Sequence, residues 1–215
     1  MTQTSQRDLC AGVLLAGGKA RRMGGGDKCL RLLAGKPLLS HVIERVRPQV
    51  GALLLNANSD PANFAAFDLP QQADAVGDFA GPLAGILTGL EWAAEAAPKA
   101  QWLASFATDA PFLPTDLVER LLTAVDDSGA VMACAKSHGR SHPVFGLWPI
   151  AYRAELRRAL VEEDIRKVDR WTGRYQLVEV AFTDSELPGG PVDPFFNANR
   201  PEDLEKAEAL LAAQG

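Results

Sequence analysis

The sequence predicts an α/β domain of three layers, with a mostly parallel central sheet covered by helices on both faces. Short apolar runs typical of buried strands alternate with amphipathic helical patterns along the chain. The connections between successive strands are long enough to hold crossover helices, which neighbouring parallel strands require. The 215 residues contain no internal repeat, low-complexity tract or linker, so a single domain over residues 1–215 is expected.

The first part of the chain is expected to form four strands with helices between them. Apolar runs of strand length predict strands at residues 13–16, 52–55, 71–75 and 102–107. Apolar residues spaced for one helical face predict helices at residues 38–46, 61–67, 82–97 and 114–125. Prolines stand in the first turns of several of these helices, where their missing N–H costs nothing.

The second part of the chain is less regular, but it continues the same alternation. Strands are predicted at residues 130–135, 142–148, 176–182 and 195–198. Helices are predicted at residues 152–162 and 201–211. Between them we expect a charged connecting segment at residues 164–173, and a loop rich in proline and glycine at residues 184–194.

Composition narrows the classes of protein to which the chain can belong. Its net charge of −5 argues against a nucleic-acid binder, which would present a basic face over the whole domain. The three cysteines are widely spaced and form no CxxC pair, which indicates free thiols rather than a disulfide framework or a zinc site. Residues 1–9 lack an apolar signal core and no run reaches membrane-spanning length, which predicts a cytoplasmic protein with no membrane partner.

Residues 12–30 carry the strongest functional signal. A predicted strand ends there at Gly17-Gly18, and three more glycines follow at residues 24–26. Glycine-rich backbone can turn its N–H groups toward an anion. Between residues 19 and 36, six basic residues stand against one acid, Asp27, a local charge of +5 in an acidic protein. The spacing fits neither the Walker A loop nor the dinucleotide fingerprint, but it predicts a phosphate-binding loop.

Polar residues follow the ends of several predicted strands. Parallel strands place their carboxyl ends at one edge of the sheet. The polar residues and glycines expected to converge at that edge are Gly17, Asn56, Asp74, Asp109 and residues 197–199. Asp109, directly after a buried strand, suits a Mg²⁺ site, the alternative being that it organises the Asp-Ala-Pro turn. Asn56 and Asp74 suit the binding of a purine base, because a carboxylate can accept hydrogen bonds from both N1 and N2 of guanine. The alternative is that both are turn or cap residues.

These motifs resemble the signature of the molybdenum cofactor guanylyltransferases over nearly the whole chain. The matching segments, in the expected order, are Leu15-Ala-Gly-Gly-Lys-Ala-Arg-Arg-Met-Gly24, Asp27-Lys28, Gly35-Lys36-Pro37-Leu38, Asn56-Ala57-Asn58, Gly81-Pro82-Leu83-Ala84-Gly85, Asp109-Ala110-Pro111 and Asn197-Ala198-Asn199. The resemblance implies a Rossmann-like nucleotidyltransferase that uses Mg²⁺, transfers GMP from GTP to molybdopterin-bound molybdenum, and releases pyrophosphate. It also implies molybdenum-cofactor synthesis and insertion proteins as partners.

The resemblance assigns roles to individual residues. The implied GTP-binding residues are Leu15, Ala16, Gly17, Gly18, Gly25, Lys28, Asn56, Asp74, Gly85 and Asp109. The implied catalytic residues are Arg22, Lys28 and Asp109, of which Asp109 would also hold the metal. The implied pterin-side residues are His142, Arg166, Lys167, Asn197 and Asn199, although a structural role for His142 is an open alternative. The nucleotide part would span residues 10–125 and the pterin side residues 130–200.

Two positions depart from the family pattern. Arg200 precedes the proline of the last helix where the family often has Thr or Ser, so Asn199 is expected to serve partly as a helix cap. Asp164 and Ile165 precede the basic pair Arg166-Lys167, a place where the family usually has a glycine.

Other functions are open at this point. A relative could use another nucleotide or acceptor, as a molybdopterin cytidylyltransferase or a sugar-phosphate nucleotidyltransferase does, but Asp74 argues against a pyrimidine nucleotide. A noncatalytic carrier of GTP or pterin belongs to a different class. Lys28 and Asp109 argue against such a carrier, and it would bind GTP without releasing pyrophosphate.

Overall fold

The computed structural model describes residues 5–17, 27–77 and 81–212. Its strands are β1 (Cys10–Leu15), β2 (Leu32–Leu33), β3 (Lys36–Pro37), β4 (Ala52–Asn56), β5 (Gln71–Gln72), β6 (Trp102–Ala107), β7 (Met132–Ser137), β8 (Arg140–Pro149), β9 (Leu177–Ala181), β10 (Ser185–Leu187) and β11 (Gly190–Val192). Its α-helices are α1 (Leu38–Val46), α2 (Pro82–Ala96), α3 (Leu117–Ser128), α4 (Arg153–Val161), α5 (Val168–Thr172) and α6 (Pro201–Leu211). Within these described ranges, no helix has both the length and the apolar character needed to cross a membrane.

The centre of the protein is a seven-stranded sheet with the order β5-β4-β1-β6-β8-β7-β9. Neighbouring strands are parallel except at β8, which runs antiparallel to both β6 and β7. The predicted α/β fold with a mostly parallel central sheet is therefore confirmed. The register places Leu15 beside Asn56 on one side and beside Ala107 on the other, so three neighbouring strands end level with one another.

Strand β1 lies in the middle layer, and both of its faces are buried. Leu14 belongs to a core cluster with Leu39 of α1 and Leu121 of α3, whereas Val13 belongs to a second cluster with Ile86 of α2. Burial of each such side chain stabilises the fold by roughly 1.5–3 kcal/mol. Because helices cover both faces, β1 is apolar throughout instead of alternating with polar residues.

Residues 184–194, predicted to be a loop, instead contain the hairpin β10–β11. The Gly189 N–H donates to the carbonyl oxygen of Leu210 in α6 at 3.0 Å. A Cβ atom at Gly189 would lie only 2.5 Å from the carbonyl oxygen of Ala209, so this close approach requires glycine. The glycines therefore serve a tight turn packed on α6, and the segment is not irregular.

The strand predicted at residues 195–198 is wrong. Phe195 is 2% exposed and packs against the rings of Phe145 and Phe182, while the Ala198 N–H donates to the Asp109 carbonyl oxygen at 2.9 Å. The segment is apolar because it is a loop inserted into the core. The predicted charged segment at 164–173 also contains a short helix, α5, whose Val168 and Trp171 are buried.

Candidate active site

The ends of β1, β4 and β6 open onto a cleft of about 600 Å³. The segments that follow these strands and the nearby loops line it with Leu15, Ala16, Gly17, Lys28, Asn56, Asn58, Asp74, Thr108 and Asp109. The later part of the chain lines it with Arg140, Ser141, His142, Pro143, Val144, Phe145 and Asn197. The fold thus brings residues expected to bind a nucleotide and residues expected on the pterin side into one cleft.

Lys28 and Asp109 are in direct contact within this cleft. The Lys28 Nζ donates to the Asp109 Oδ2 at 2.5 Å, and it also donates to the side-chain oxygen of Asn199. The side chains of Lys28 and Asp109 are only 15% and 24% exposed, so water screens their charges less than it would on an open surface. The basic residue after the glycine loop and the carboxylate after β6 therefore face the same space, as the strand order predicts.

Asp27 fixes the backbone immediately before Lys28. Its carboxylate accepts hydrogen bonds from the Ser59 hydroxyl and, at 3.4 Å, from the Asn63 side-chain amide. The chain then makes a 3₁₀ turn at Lys28–Leu30, whose Cys29 is buried. These contacts hold the base of the Lys28 side chain against the segment that follows β4.

Asn56, Asn58 and Asp74 form a second polar group in the cleft. The two side-chain amides donate to different oxygens of the Asp74 carboxylate, Asn56 at 3.0 Å and Asn58 at 2.8 Å. The Asp74 N–H in turn donates to the Asn58 Oδ1 at 2.8 Å. A carboxylate has about four acceptor positions, so each oxygen can accept another hydrogen bond from a ligand. Asn58 was not among the predicted site residues, although its place after β4 was a usable signal.

Gly85 lies in α2 beneath Asn56. A Cβ atom at this position would overlap the Asn56 Oδ1 and would lie 2.6 Å from the Leu15 Cδ2. Gly85 is buried, and it is not one of the described residues that line the cleft. The structure therefore places it where it gives Asn56 the room to reach Asp74.

His142 is held by two residues that the sequence did not single out. Its Nε2 lies 2.7 Å from the Ser137 hydroxyl oxygen, and that hydroxyl donates to the Asp193 Oδ1 at 2.8 Å. Because the hydroxyl proton points to the carboxylate, the His142 Nε2 carries a proton and donates it to Ser137. Burial lowers the pKa of His142, and the positive charge of Arg140 adds to this effect while Asp193 opposes it.

The segment after β11 contributes two asparagines in different ways. Asn197 lines the cleft, and its Oδ1 is buried with no hydrogen-bond partner among the described residues. Asn199 accepts a hydrogen bond from Lys28 instead of capping α6. The N-cap residue is Arg200, and the carboxylate of Asp203, at the third position of α6, accepts from the N–H groups of Asn199 and Arg200, both at 2.8 Å. The expectation that Asn199 serves partly as the cap is therefore wrong.

Arg166 and Lys167 do not line the described part of the cleft, although their segment runs beside it. The Arg166 side chain pairs with the Asp164 carboxylate at 2.7 Å. The backbone carbonyl oxygen of Arg166 lies near Gly81, which does line the cleft. Asp164 has a φ of 50°, in the left-handed region that glycine favours. This explains how the segment turns without the expected glycine, since Asp tolerates that conformation.

Three predicted positions, Gly18, Arg22 and Gly25, lie outside the described residues. Asp109 is the predicted metal ligand, and the described residues contain no group of three or more His, Cys, Asp or Glu that could hold a metal ion. A single carboxylate still fits Mg²⁺, which completes its coordination with substrate phosphates and water. The Asp109 Oδ1 accepts no hydrogen bond from the described residues, which leaves that oxygen available.

Comparison with known proteins shows what this chain is similar to in sequence and in fold. The family model of the MobA-like NTP transferase domain matches residues 12–179. A molybdenum cofactor guanylyltransferase of Bradyrhizobium sp. is 56% identical over 203 residues, covering 94% of this chain and 93% of that protein. Among solved structures, molybdopterin-guanine dinucleotide biosynthesis protein A of Archaeoglobus fulgidus superposes with a TM-score of 0.68 at 23% identity, covering 92% of this chain and 96% of that one. A Mycobacterium tuberculosis protein in complex with manganese, Rv0371C, gives 0.65 at 17% identity, covering 93% and 97%.

Proposed function

Because this chain belongs to the molybdenum cofactor guanylyltransferases of the MobA-like NTP transferase family, we propose that its cleft transfers GMP from GTP to molybdopterin-bound molybdenum. The observation that carries the proposal is that Lys28 and Asp109 touch in the same cleft in which Asn56 and Asn58 hold the Asp74 carboxylate. Lys28 and Asp109 suit a triphosphate, the Asp74 carboxylate suits a base, and GTP contains both.

The Asp74 group is the part of the cleft that recognises the base. Guanine offers hydrogen-bond donors at N1 and N2, and a carboxylate oxygen can accept from each. Asn56 and Asn58 orient the carboxylate by occupying one position on each oxygen. Cytosine and uracil lack this pair of donors, so they would leave Asp74 poorly matched, which disfavours a cytidylyltransferase or a uridylyltransferase.

Lys28 and Asp109 act at the triphosphate. Asp109 would hold a divalent metal, Mg²⁺ in our proposal, together with the phosphates, and the metal would supply positive charge at the phosphate oxygens. Lys28 would move its hydrogen bonds from Asp109 and Asn199 to phosphate oxygens, and Arg22 would add a second cation. These charged groups interact more strongly with the phosphates in a partly enclosed cleft than they would in bulk water.

The transfer step needs positioning more than proton transfer. An oxygen of the acceptor phosphate is already anionic, so it can form a bond to the α-phosphorus of GTP without a general base. The bond from the α-phosphorus to the bridging oxygen breaks, and pyrophosphate leaves with that electron pair. Residues 10–125 would bind the nucleotide, and residues 130–200 would bind the acceptor within one domain. Proteins that make the acceptor and insert the product would be its partners.

Pyrophosphate release measured with each of the four nucleoside triphosphates, with and without molybdopterin-bound molybdenum, tests the proposed function. We expect release with GTP only, and only when the acceptor is present. Release with CTP would support the cytidylyltransferase instead, and GTP binding without any release would support a carrier.

The Asp109→Asn variant tests the metal ligand, with the exposed Asp126→Asn variant as its control. Asp126→Asn should keep the metal dependence of the wild type. Asp109→Asn should require a much higher Mg²⁺ concentration for half-maximal turnover, and an unchanged metal response would exclude Asp109 as the ligand.

A further inference from the structure

We infer that Thr88 of α2 is a positioning residue for base selection, because its hydroxyl fixes the backbone that presents the Asp74 carboxylate. The inference rests on the part of the proposed function in which Asp74 recognises guanine. Thr88 is not one of the described residues that line the cleft, so it acts through Asp74 and not on a substrate.

Thr88 is a polar residue in an apolar part of the helix. Within α2, which the structure describes completely, it is the only polar side chain among the buried residues, and it is 2% exposed. Its neighbours Leu87 and Leu90 belong to the core cluster that contains Val13. Burial of a hydroxyl costs free energy unless the group forms hydrogen bonds, so the partners of this hydroxyl indicate its role.

The Thr88 hydroxyl forms two hydrogen bonds with different consequences. It donates to the carbonyl oxygen of Ala84, one helical turn earlier, at 2.9 Å, which is a common local contact of a threonine within a helix. The same oxygen accepts the Ala75 N–H at 2.8 Å. Because the only proton of the hydroxyl is directed to Ala84, its oxygen is left to act as the acceptor for Ala75. This second bond joins α2 to the residue directly after Asp74.

Asp74 lies beyond the end of β5, on backbone that side chains hold. The N–H groups of Asp74 and Ala75 donate to the side chains of Asn58 and Thr88 respectively, both at 2.8 Å. Val76 packs against the same core cluster as α2, but an apolar contact has no preferred direction. The hydrogen bond to Thr88 is directional, and it comes from a helix in the core. It therefore fixes the orientation of the backbone next to the Asp74 carboxylate.

The orientation of this carboxylate matters most for a base with two donors. Guanine presents N1–H and N2–H side by side, and hydrogen bonds weaken steeply when their geometry is poor. Hypoxanthine has the N1–H donor but lacks the N2 amino group. A displaced Asp74 should therefore cost GTP more binding than it costs inosine triphosphate. The ratio of the two affinities is a readout that a general loss of stability would not change.

Three substitutions of Thr88 and one matched control test the inference. Thr88→Val keeps the shape of the side chain and removes both hydrogen bonds, Thr88→Ala removes the hydroxyl without adding bulk, and Thr88→Ser keeps the hydroxyl. Thr172→Val is the control, because Thr172 of α5 is 3% exposed and donates to the carbonyl oxygen of Val168 one turn earlier. Thr172 is also absent from the described lining of the cleft.

Equilibrium binding of GTP and of inosine triphosphate in the presence of Mg²⁺ gives the ratio for each variant. The wild type should bind GTP more tightly than inosine triphosphate. This preference should fall about 3- to 10-fold in Thr88→Val and in Thr88→Ala, the loss expected for one hydrogen bond. Thr88→Ser and Thr172→Val should keep the wild-type ratio. Thermal unfolding of each variant reports its loss of stability separately.

Several results would overturn the role of Thr88. They are a wild-type ratio in Thr88→Val or Thr88→Ala, an equal fall of the ratio in Thr172→Val or Thr88→Ser, and a wild type that does not prefer GTP. If only one of Thr88→Val and Thr88→Ala folds, that variant decides. If the ratios change as expected but the wild type releases no pyrophosphate from GTP and molybdopterin-bound molybdenum, the proposed function fails and the role of Thr88 stands on the binding data.

Discussion

Lys28 is the residue whose removal should most directly weaken binding of the triphosphate. A charge-assisted hydrogen bond contributes about 1.5–3 kcal/mol, so Lys28→Ala should lower turnover by about one to two decades and weaken GTP binding. Pyrophosphate release and calorimetric titration with GTP measure the two effects. Lys99→Ala, at an exposed lysine after α2, is the matched control and should leave both unchanged. Normal turnover in Lys28→Ala would refute its assigned role.

Asp74 should determine which base the cleft accepts. Asp74→Asn replaces an acceptor oxygen by an N–H₂ donor, which would face the donors of Asn56 or Asn58 and those of guanine. We expect kcat/KM for GTP to fall by about one to two decades, while the low rates with other nucleotides change little. Steady-state kinetics with all four nucleotides measure this. Asp68→Asn, at an exposed position on the connection between β4 and β5, should preserve GTP selectivity, and equal selectivity in both variants would exclude Asp74 as the residue that selects the base.

The residues of the site differ in how well sequence alone can locate them. Asn56, Asp74 and Asp109 each follow a predicted strand, and the rule that parallel strands end at one edge brings them together. Asp193 could not be found this way, because it reaches Ser137 across 56 positions of sequence through a hairpin that the composition did not reveal.

At the scale of elements, α2 supports the site through two glycines one helical turn apart. Alanine favours a helix by about 1 kcal/mol over glycine, but a Cβ atom at Gly85 would overlap Asn56, and one at Gly89 would lie 2.8 Å from Val13 Cβ. Both Gly→Ala variants should lower the free energy of unfolding by about 1–3 kcal/mol through overpacking. Only Gly85→Ala should also weaken GTP binding, since only that position displaces Asn56.

Denaturant unfolding and GTP titration of the two glycine variants provide the measurement. A loss of GTP affinity in Gly89→Ala equal to that in Gly85→Ala would show that α2 acts only through overall stability. A Gly85→Ala variant with normal stability and normal affinity would mean that Asn56 can move without consequence.

The sequence predicts a strand well where helices bury both of its faces, and it predicts less well where buried apolar residues have another cause. The range predicted for β6 is the observed one, because a strand covered on both faces is almost entirely apolar, and Ser105 is the single polar residue of β6. The antiparallel direction of β8 could have been predicted, since only His138 and Gly139 connect it to β7, and both have positive φ angles of 47° and 74°. The loop at 195–198 could not, because its apolar residues serve core packing without a strand partner.

At the scale of the whole molecule, burial in the interior protects the cysteines, two of which, Cys10 and Cys29, belong to the core cluster that contains Leu14. Cys10, Cys29 and Cys134 are all free thiols that are at most 2% exposed. Burial is the main cause that raises their pKa values, to about 12 for Cys10 and Cys29 and to about 11 for Cys134. Because the thiolate is the reactive form, the native protein should react slowly with a disulfide reagent at pH 8.

Absorbance after addition of an aromatic disulfide reagent measures this protection. The protein contains three cysteines. We expect all three thiols to react rapidly in denaturant and none of them to react rapidly in the native protein. Cys29 is the most informative of the three because it also lines the cleft. One fast thiol in the native state, absent from a Cys29→Ser variant, would show that the cleft opens more widely than this structure does.

The transfer of a phosphorus label tests the central claim most directly, since that claim is that one cleft joins GMP to the acceptor. The protein is incubated with molybdopterin-bound molybdenum, a divalent metal, and GTP labelled at either the α- or the γ-phosphorus. The account predicts that the α-label enters a guanine dinucleotide product and that the γ-label leaves in pyrophosphate. Retention of both labels in GTP, or release of the γ-label as orthophosphate, would contradict it.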